Sequence, residues 1–330
     1  MTRKIVVSCA ASAAVAAALP AAAAAARSTI RVGVGDQNPG MFLSGAFDAL
    51  NVRRTRYFVP ADVMRDDAER LKAHVFVTAA RAAGVSVLLH VSTADLRPKR
   101  GARVSTTRYR RDVGRIVAYF RDLGVTDFGA WNEVNHTTQE TWDSPGHAVS
   151  YFQSMYRAVK LGEGPPDPCP TCAVVGLDVL DQSGVQGYID RFYARLSSTW
   201  RKRLTIVGIH NYSDVNRDRS TGTGTIIRAA RRYNRATSFW FTETGALASF
   251  RGSFPYSPSR QASRIRNMFT FASRYRDSGV TRVYAYNWFG VETSTRCGTR
   301  CDFDAGLVNP NGTLRPVYGA FRARLSDFSR

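Results

Sequence analysis

A (β/α)8 barrel (TIM barrel) built from one domain is the fold this chain predicts, and three features of its 330 residues carry that reading. Short apolar, often β-branched runs recur eight times. Each is followed by a turn and then by apolar residues at helical spacing. Polar side chains collect just after the carboxyl ends of the runs, the face on which such barrels do their chemistry. An open doubly wound sheet is the alternative. It would place a nucleotide site at a Gly-rich first turn, and Gly33-Val34-Gly35-Asp36 lacks the third glycine and a helix start in register.

In chain order, Met1 to Ala26 come first: a basic start (Arg3, Lys4), an Ala/Val-rich stretch and a small-residue run, the pattern of a secretory signal peptide. Cleavage after Ala26 is expected, leaving residues 27–330 as one secreted catalytic domain. Val6-Val7-Ser8-Cys9 loosely resembles a lipoprotein box, but most of the apolar stretch follows Cys9 where such a box needs it before. No later run is long and apolar enough to span a bilayer. The eight strands are expected at Ile30–Gly35, Thr55–Val59, Val85–Val91, Asp127–Trp131, Ala173–Leu177, Thr205–His210, Ser238–Thr242 and Arg282–Trp288. Between them, Asp62–Ala83 (Val63, Ala68, Leu71, Val75, Val77, Ala80) and Arg108–Leu123 (Val113, Ile116, Val117, Phe120, Leu123) read as outer helices. Ala83-Gly84-Val85, Leu123-Gly124-Val125 and Ser278-Gly279-Val280 repeat a helix–Gly–strand junction, with glycine ending the helix in the left-handed conformation.

The formal charge is +20, two fewer once Arg3 and Lys4 leave with the leader. Such a balance favours acidic polymers or anionic surfaces. The basic residues are mostly Arg and lie scattered (Arg53, Arg54, Arg110, Arg111, Arg231, Arg232), without a stripe or aromatic ladder, so nucleic acid is not expected as a partner. In an oxidising compartment Cys169/Cys172 and Cys297/Cys301 are expected to form two local disulfides. A shared zinc is not expected, because the first pair precedes strand five at the barrel bottom and the second follows strand eight at the top. A redox CxxC is opposed by Pro168 and Pro170 and by the missing thioredoxin-like context. The Cys297–Cys301 staple either stiffens a cleft wall or simply protects an exported loop. No cofactor or metal is expected.

Reading the strand ends collects Asp36 and Asn38, Arg56, His90, Asn132 and Glu133, Asp178, His210 and Tyr212, Glu243, then Asn287 and Trp288. Two glutamates at one rim suggest glycoside hydrolysis, which needs a pair of carboxylates flanking the scissile bond. The motifs themselves, Trp131-Asn132-Glu133, Ile209-His210-Asn211-Tyr212, Thr242-Glu243-Thr244-Gly245 and Tyr286-Asn287-Trp288, resemble those of the clan A glycoside hydrolases. The similarity covers essentially the whole mature chain and leans toward families 39 and 128; Gly306–Pro316 resembles the turn leading into the last helix of such enzymes. Val134 stands where a proline frequently follows Asn-Glu, which leaves the subfamily open.

The resemblance implies Glu133 as acid/base and Glu243 as nucleophile of a retaining mechanism, with Asn132 on the sugar 2-hydroxyl and Trp288 as a flat face beneath the sugar. Arg56 and Tyr212 are expected to keep Glu243 ionised, Arg54 being the rival cation, and Glu133 is expected to have a raised pKa from burial and from the charge of Glu243. His90, His210, Asp36 and Asn38 complete the expected support. Trp142 is a candidate outer-subsite stacker, Trp131 reads as core, and Asp178 and Asp181 either shape subsites or cap turns. The substrate is expected to be a β-linked polysaccharide or oligosaccharide cut internally by a monomer. Rival readings are a barrel that binds a wall polymer without cleaving it, a transglycosidase, and a basic adhesin. Inactivity with binding retained, transfer to sugar in preference to water, or salt-sensitive binding indifferent to either glutamate would select them in turn.

Overall fold

The computed structural model describes residues 28–93, 104–163, 167–250, 253–291 and 303–330. The leader and the Cys297/Cys301 pair lie outside these residues. Eight parallel strands follow one another as Ser28–Gly35, Arg54–Pro60, Ser86–Ser92, Asp127–Gly129, a fifth in two pieces (Ala173–Val175 and Leu177–Leu180), Ile206–His210, Ser238–Thr244 and Val280–Tyr286. One hydrogen-bonded ladder runs from strand one through eight, seven and six to the second piece of strand five; another runs from strand two through three and four to its first piece. Strand five belongs to both, and Gly33, where a Cβ would lie 2.5 Å from the Arg54 carbonyl oxygen, sets strand one hard against strand two. The barrel is thereby closed.

Alternation along each strand sorts side chains between the lumen and the outer helices. Outward residues such as Val32, Tyr57, Leu89, Phe128, Leu177, Ile209, Phe241 and Val283 join helix residues such as Phe76, Val117, Phe152, Ile189, Ile226 and Met268 in one buried core. Inside, Leu88, Val175, Trp240 and Tyr284 form an apolar layer. Arg282, paired with Asp127, lies with its guanidinium 3.8 Å from the centre of the Trp240 ring. Above the apolar layer the lumen turns polar with Arg56, His90, Asp178 and Thr242, all buried.

Two irregularities aim the upper layer. Strand five is interrupted at Gly176, so that Val175 and Asp178, an odd number of residues apart, are both brought inside. Strand seven carries a bulge: Trp240 pairs with Gly208 and Glu243 with His210, three residues opposite two. The extra residue turns both Thr242 and Glu243 toward the lumen, a use to which bulges at barrel rims are put. Close approach then dictates two glycines. A Cβ on Gly129 would lie 2.0 Å from His90 Cδ2, and one on Gly208 would lie 1.8 Å from Asp178 Oδ1.

The helical readings hold in outline. Gly84, Gly124 and Gly279 have φ of +68°, +91° and +89°, the left-handed junctions expected. The stretch 62–83 is a 3-10 turn, Val63–Arg65, followed by a helix over Asp67–Ala82 whose first turn is capped by Asp66, accepting from Ala68 N and Glu69 N at 3.0 Å each. Its buried face is Ala73, Phe76, Val77 and Ala80; Leu71 and Val75 point outward, 63% and 45% exposed, against the expectation. The second expected helix spans Thr106–Asp122. Cys169 and Cys172 form the expected disulfide ahead of strand five. Among the described residues no helix is long and apolar enough to cross a membrane.

Over the rim, Ser249–Phe250 and Phe303–Asp304 pair as a short antiparallel ribbon. The loop after strand six is anchored by Asp181, whose carboxylate accepts from Ser213 N at 3.1 Å and Asp214 N at 2.6 Å, fixing the start of the short helix Tyr212–Arg217. Burial pushes the Asp181 carboxyl up to about 8, despite these bonds.

Gly208→Ala is expected to cost about 1–3 kcal/mol through overpacking against Asp178, read as a lowered melting temperature; an unchanged one would contradict the close approach. For Asp181, whose folded pKa is raised, the folded protein keeps a proton that the unfolded chain loses near pH 4, so its contribution to stability declines as pH rises from about 4 to about 8 and is flat above. The melting temperature of Asp181→Asn relative to the parent should therefore rise between about pH 4 and about pH 8 and be level above. Parallel melting curves across that range would refute the assignment.

Candidate active site

Arg56 rises from strand two into the lumen and is 1% exposed. A buried guanidinium needs partners on each of its nitrogens, and residues on or just past three strands supply them. Its Nη1 donates to Glu243 Oε2 at 2.7 Å, its Nη2 to Asn132 Oδ1 at 2.5 Å and its Nε to His90 Nδ1 at 3.1 Å. Arg54, the rival cation, lies lower in the barrel beside Tyr284, Arg282 and Asp127. Tyr212, just past strand six, donates its hydroxyl to Glu243 Oε1 at 3.0 Å, and burial with the charge of Glu243 lifts its phenol well above the ordinary range. Both oxygens of Glu243 are thus held.

Glu133 follows strand four with a φ of +43°, in the left-handed region. For a non-glycine residue this is a strained conformation, of a kind that collects at functional sites. Its Oε1 faces His210 Nδ1 at 2.9 Å, and its Oε2 lies 3.8 Å from His136 Nδ1. Burial pushes its carboxyl up, but the hydrogen bond and charge of His210, with His136 behind, outweigh that and hold it below the usual carboxylate range. The expected upward shift is therefore corrected. The sequence argument weighed burial and Glu243, and lacked the imidazole.

Asp178 is the centre of the buried layer. Its Oδ2 lies 3.0 Å from His210 Nε2, 3.5 Å from His90 Nε2 and 3.7 Å from Arg56 Nη2, and its Oδ1 accepts from the Thr242 hydroxyl. Burial disfavours its charge, but His210 and His90 reverse the balance and hold its carboxyl far below the ordinary range. His210 is raised to about 10: burial lowers it, and the charges of Asp178 and Glu243 overcome that. His90 is lowered to about 3 by burial and by Arg56.

Other sequence candidates sit elsewhere. Trp288 is wholly buried, its ring set edge-on to Phe47 at 5.5 Å and to Tyr318 at 6.1 Å, so it offers no face to a sugar. Strand eight ends at Tyr286, two residues earlier than the motif suggested, and the partly exposed ring over the site is that of Tyr286. Sequence reasoning missed it; the i+2 pattern Arg282, Tyr284, Tyr286, all lumen-facing, was the available signal. Asp36 spends its carboxylate on the backbone, accepting from Gln37 N, Asn38 N and Phe289 N at 2.7–2.8 Å, and burial raises it to about 6. Asn38 is exposed and caps the turn at Gly40 N. Both shape the loop after strand one. Asn287 donates to the Phe289 carbonyl at 2.5 Å. Trp131 is core, donating to Gln139 Oε1, and Trp142 is 46% exposed beyond strand four. Phe303 of the rim ribbon packs edge-on to Tyr212 at 5.0 Å and lies 6.4 Å from Tyr286, an aromatic wall that the sequence did not announce.

Comparison with solved structures finds the same architecture at low identity. A family 5 subfamily 18 glycoside hydrolase from Bifidobacterium longum subsp. infantis superposes with a TM-score of 0.64 at 13% identity, covering 91% of this chain and 79% of that one. Fungal β-1,4-galactanase gives 0.60 at 14% identity over 88% and 98%, and xylanase 10B from Thermotoga maritima gives 0.56 at 16% over 90% and 95%. No curated protein matches. The decisive match is one of sequence: residues 119–321, well over half of the chain and spanning every strand from the fourth onward together with Glu133 and Glu243, fit the model of the glycosyl hydrolase catalytic core, and the chain belongs to that family.

Proposed function

We propose that the protein is a secreted, retaining β-glycosidase in which Glu243 is the nucleophile and Glu133 the acid/base. The observation that carries this reading is that both carboxylates meet one nitrogen. His210 Nδ1 is 2.9 Å from Glu133 Oε1 and 3.6 Å from Glu243 Oε2. Their nearest oxygens are separated by at most the sum of those distances. A covalent route needs about 5–5.5 Å and fits inside that bound.

In the first step a Glu243 oxygen attacks the anomeric carbon while the leaving oxygen receives a proton through Glu133. In the second, Glu133 takes a proton from water, which attacks the glycosyl ester and releases Glu243 with net retention. Arg56 and Tyr212 orient the nucleophile. With Asn132 Oδ1 committed to Arg56, its NH2 is the donor left for the sugar 2-hydroxyl. Tyr286 supplies the aromatic face beneath the ring, in the part given at first to Trp288. The basic, alanine-rich leader supports export.

A polymeric substrate cut internally is supported by a groove of about 510 Å³ lined by Gln37, Pro39, Phe58, Leu71, Lys72 and Val75, among others. Phe58 links it to the centre, its ring lying 6.0 Å from the Arg56 guanidinium. The outward apolar residues Leu71 and Val75 gain a purpose here as a surface for further sugars.

A 2-deoxy-2-fluoro β-glycoside panel followed by peptide mapping should label Glu243; inverted product with no label would overturn the retaining assignment. Glu133→Gln should lower kcat/KM by about 10²–10⁴-fold on substrates with poor leaving groups, and retained activity on them would remove Glu133 from its role. Replacing Leu71 and Val75 together by Ala should reduce kcat/KM on chains of several sugars roughly tenfold while sparing single-ring aryl glycosides. Equal loss on both would deny the groove a part in binding.

A further inference from the structure

The geometry points to Asp178 as a positioning residue that keeps His210 protonated on both ring nitrogens, so that His210 holds in reserve the proton Glu133 delivers. The inference rests on Glu133 being the acid. Both nitrogens of His210 lie beside carboxylates: Nδ1 is hydrogen-bonded to Glu133 Oε1 at 2.9 Å, and Nε2 is 3.0 Å from Asp178 Oδ2, an ion pair set off the hydrogen-bond line. A neutral imidazole has one N–H, and would set a lone pair against one of these anions. Only the imidazolium meets both.

His90 provides the contrast within the same cluster. Its Nδ1 accepts from Arg56 Nε, so its single proton sits on Nε2, toward Asp178 at 3.5 Å. One buried carboxylate therefore serves two histidines in different charge states, the difference being that His90 already borders a cation. Asp178 has room for this because residue 208 is glycine, and it is fixed by the Thr242 hydroxyl. The charged and titratable groups around His210 are Asp178, Glu133, Glu243, Arg56, His90, His136, Tyr212 and Tyr286, drawn from strands two to eight or from the loops that follow them. The three carboxylates approach it at 2.9–3.6 Å.

The chain Asp178–His210–Glu133 then has two forms with one proton count: imidazolium beside carboxylate, and neutral imidazole beside carboxylic acid. Moving the Nδ1 proton to Glu133 Oε1 interconverts them, while the Nε2 proton stays with Asp178. Attack by Glu243 spends the negative charge that lies 3.6 Å from Nδ1, which weakens the hold on the imidazolium. The proton is thus released toward Glu133 as the leaving oxygen needs it. Water later returns one proton through Glu133 to His210, and the cycle balances.

Nitrogen NMR of the wild-type protein, with the His210 signals assigned by loss in His210→Gln, should show both ring nitrogens protonated at pH 8. A neutral ring there would overturn the inference whatever the enzyme's activity, so it fails separately from the glycosidase reading. In Asp178→Asn the alkaline limb of kcat/KM should move down by about one pH unit or more, because the shared proton is lost more easily. An unmoved limb with a uniformly lower rate would mark a merely structural residue. An upward shift would mean that Glu133 alone held the proton and had lost a neighbouring cation. If Asp178→Asn does not fold, the wild-type nitrogen signals decide.

Discussion

A charge sealed inside a closed sheet has to be answered by its neighbours, and the guanidinium of Arg56 sets that condition for the whole rim. Removing one partner of such a buried pair typically costs about 3–5 kcal/mol, so the groups around it are constrained together rather than one by one. Glu243, Asn132 and His90 arrive from strands seven, four and three to occupy its donors. Asp178, 3.7 Å away on strand five, balances the positive charge from below. The arrangement that solves this electrostatic problem is also the one that brings two glutamates to one imidazole.

Much of this was readable beforehand. Strand order, the left-handed glycines and the residues Arg56, His210, Tyr212, Glu133 and Glu243 follow from a rule that needs only strand ends. What was not readable depends on direction along a strand. The Gly176 interruption and the bulge before Glu243 each shift the alternation by one residue, and no period-two pattern reports a shift of that kind. Trp288 was misplaced for the same reason: strand eight stops two residues sooner, and the larger aromatic goes to the core while Tyr286 stays at the rim. On the helix Asp67–Ala82, apolar spacing picked Leu71 and Val75 for the interior, although those two face the groove. Apolarity marked a surface of contact without saying which.

The lowered Glu133 illustrates a deeper limit. Its environment is set by His210, which is 77 residues away in sequence, and His210 in turn answers to Asp178. Burial and like charge, the effects that a sequence argument can weigh, both act upward on Glu133, and a cation that only the fold delivers reverses them. Two histidines on a single aspartate, one pushed up and the other down, show how little the residue type alone decides.

The ribbon at the rim and the charged layer beneath it come from different parts of the chain. Phe303 leans on Tyr212, yet the strand that carries it is moored away from the lumen, where Arg315 grips both oxygens of Asp304 at 2.7 and 2.9 Å. A change at Phe303 alters the aromatic wall beside Tyr212 and Tyr286, and that residue is no part of the cluster of Arg56, Asp178 and His210. The wall above the proposed site and the buried polar layer beneath it can therefore vary separately.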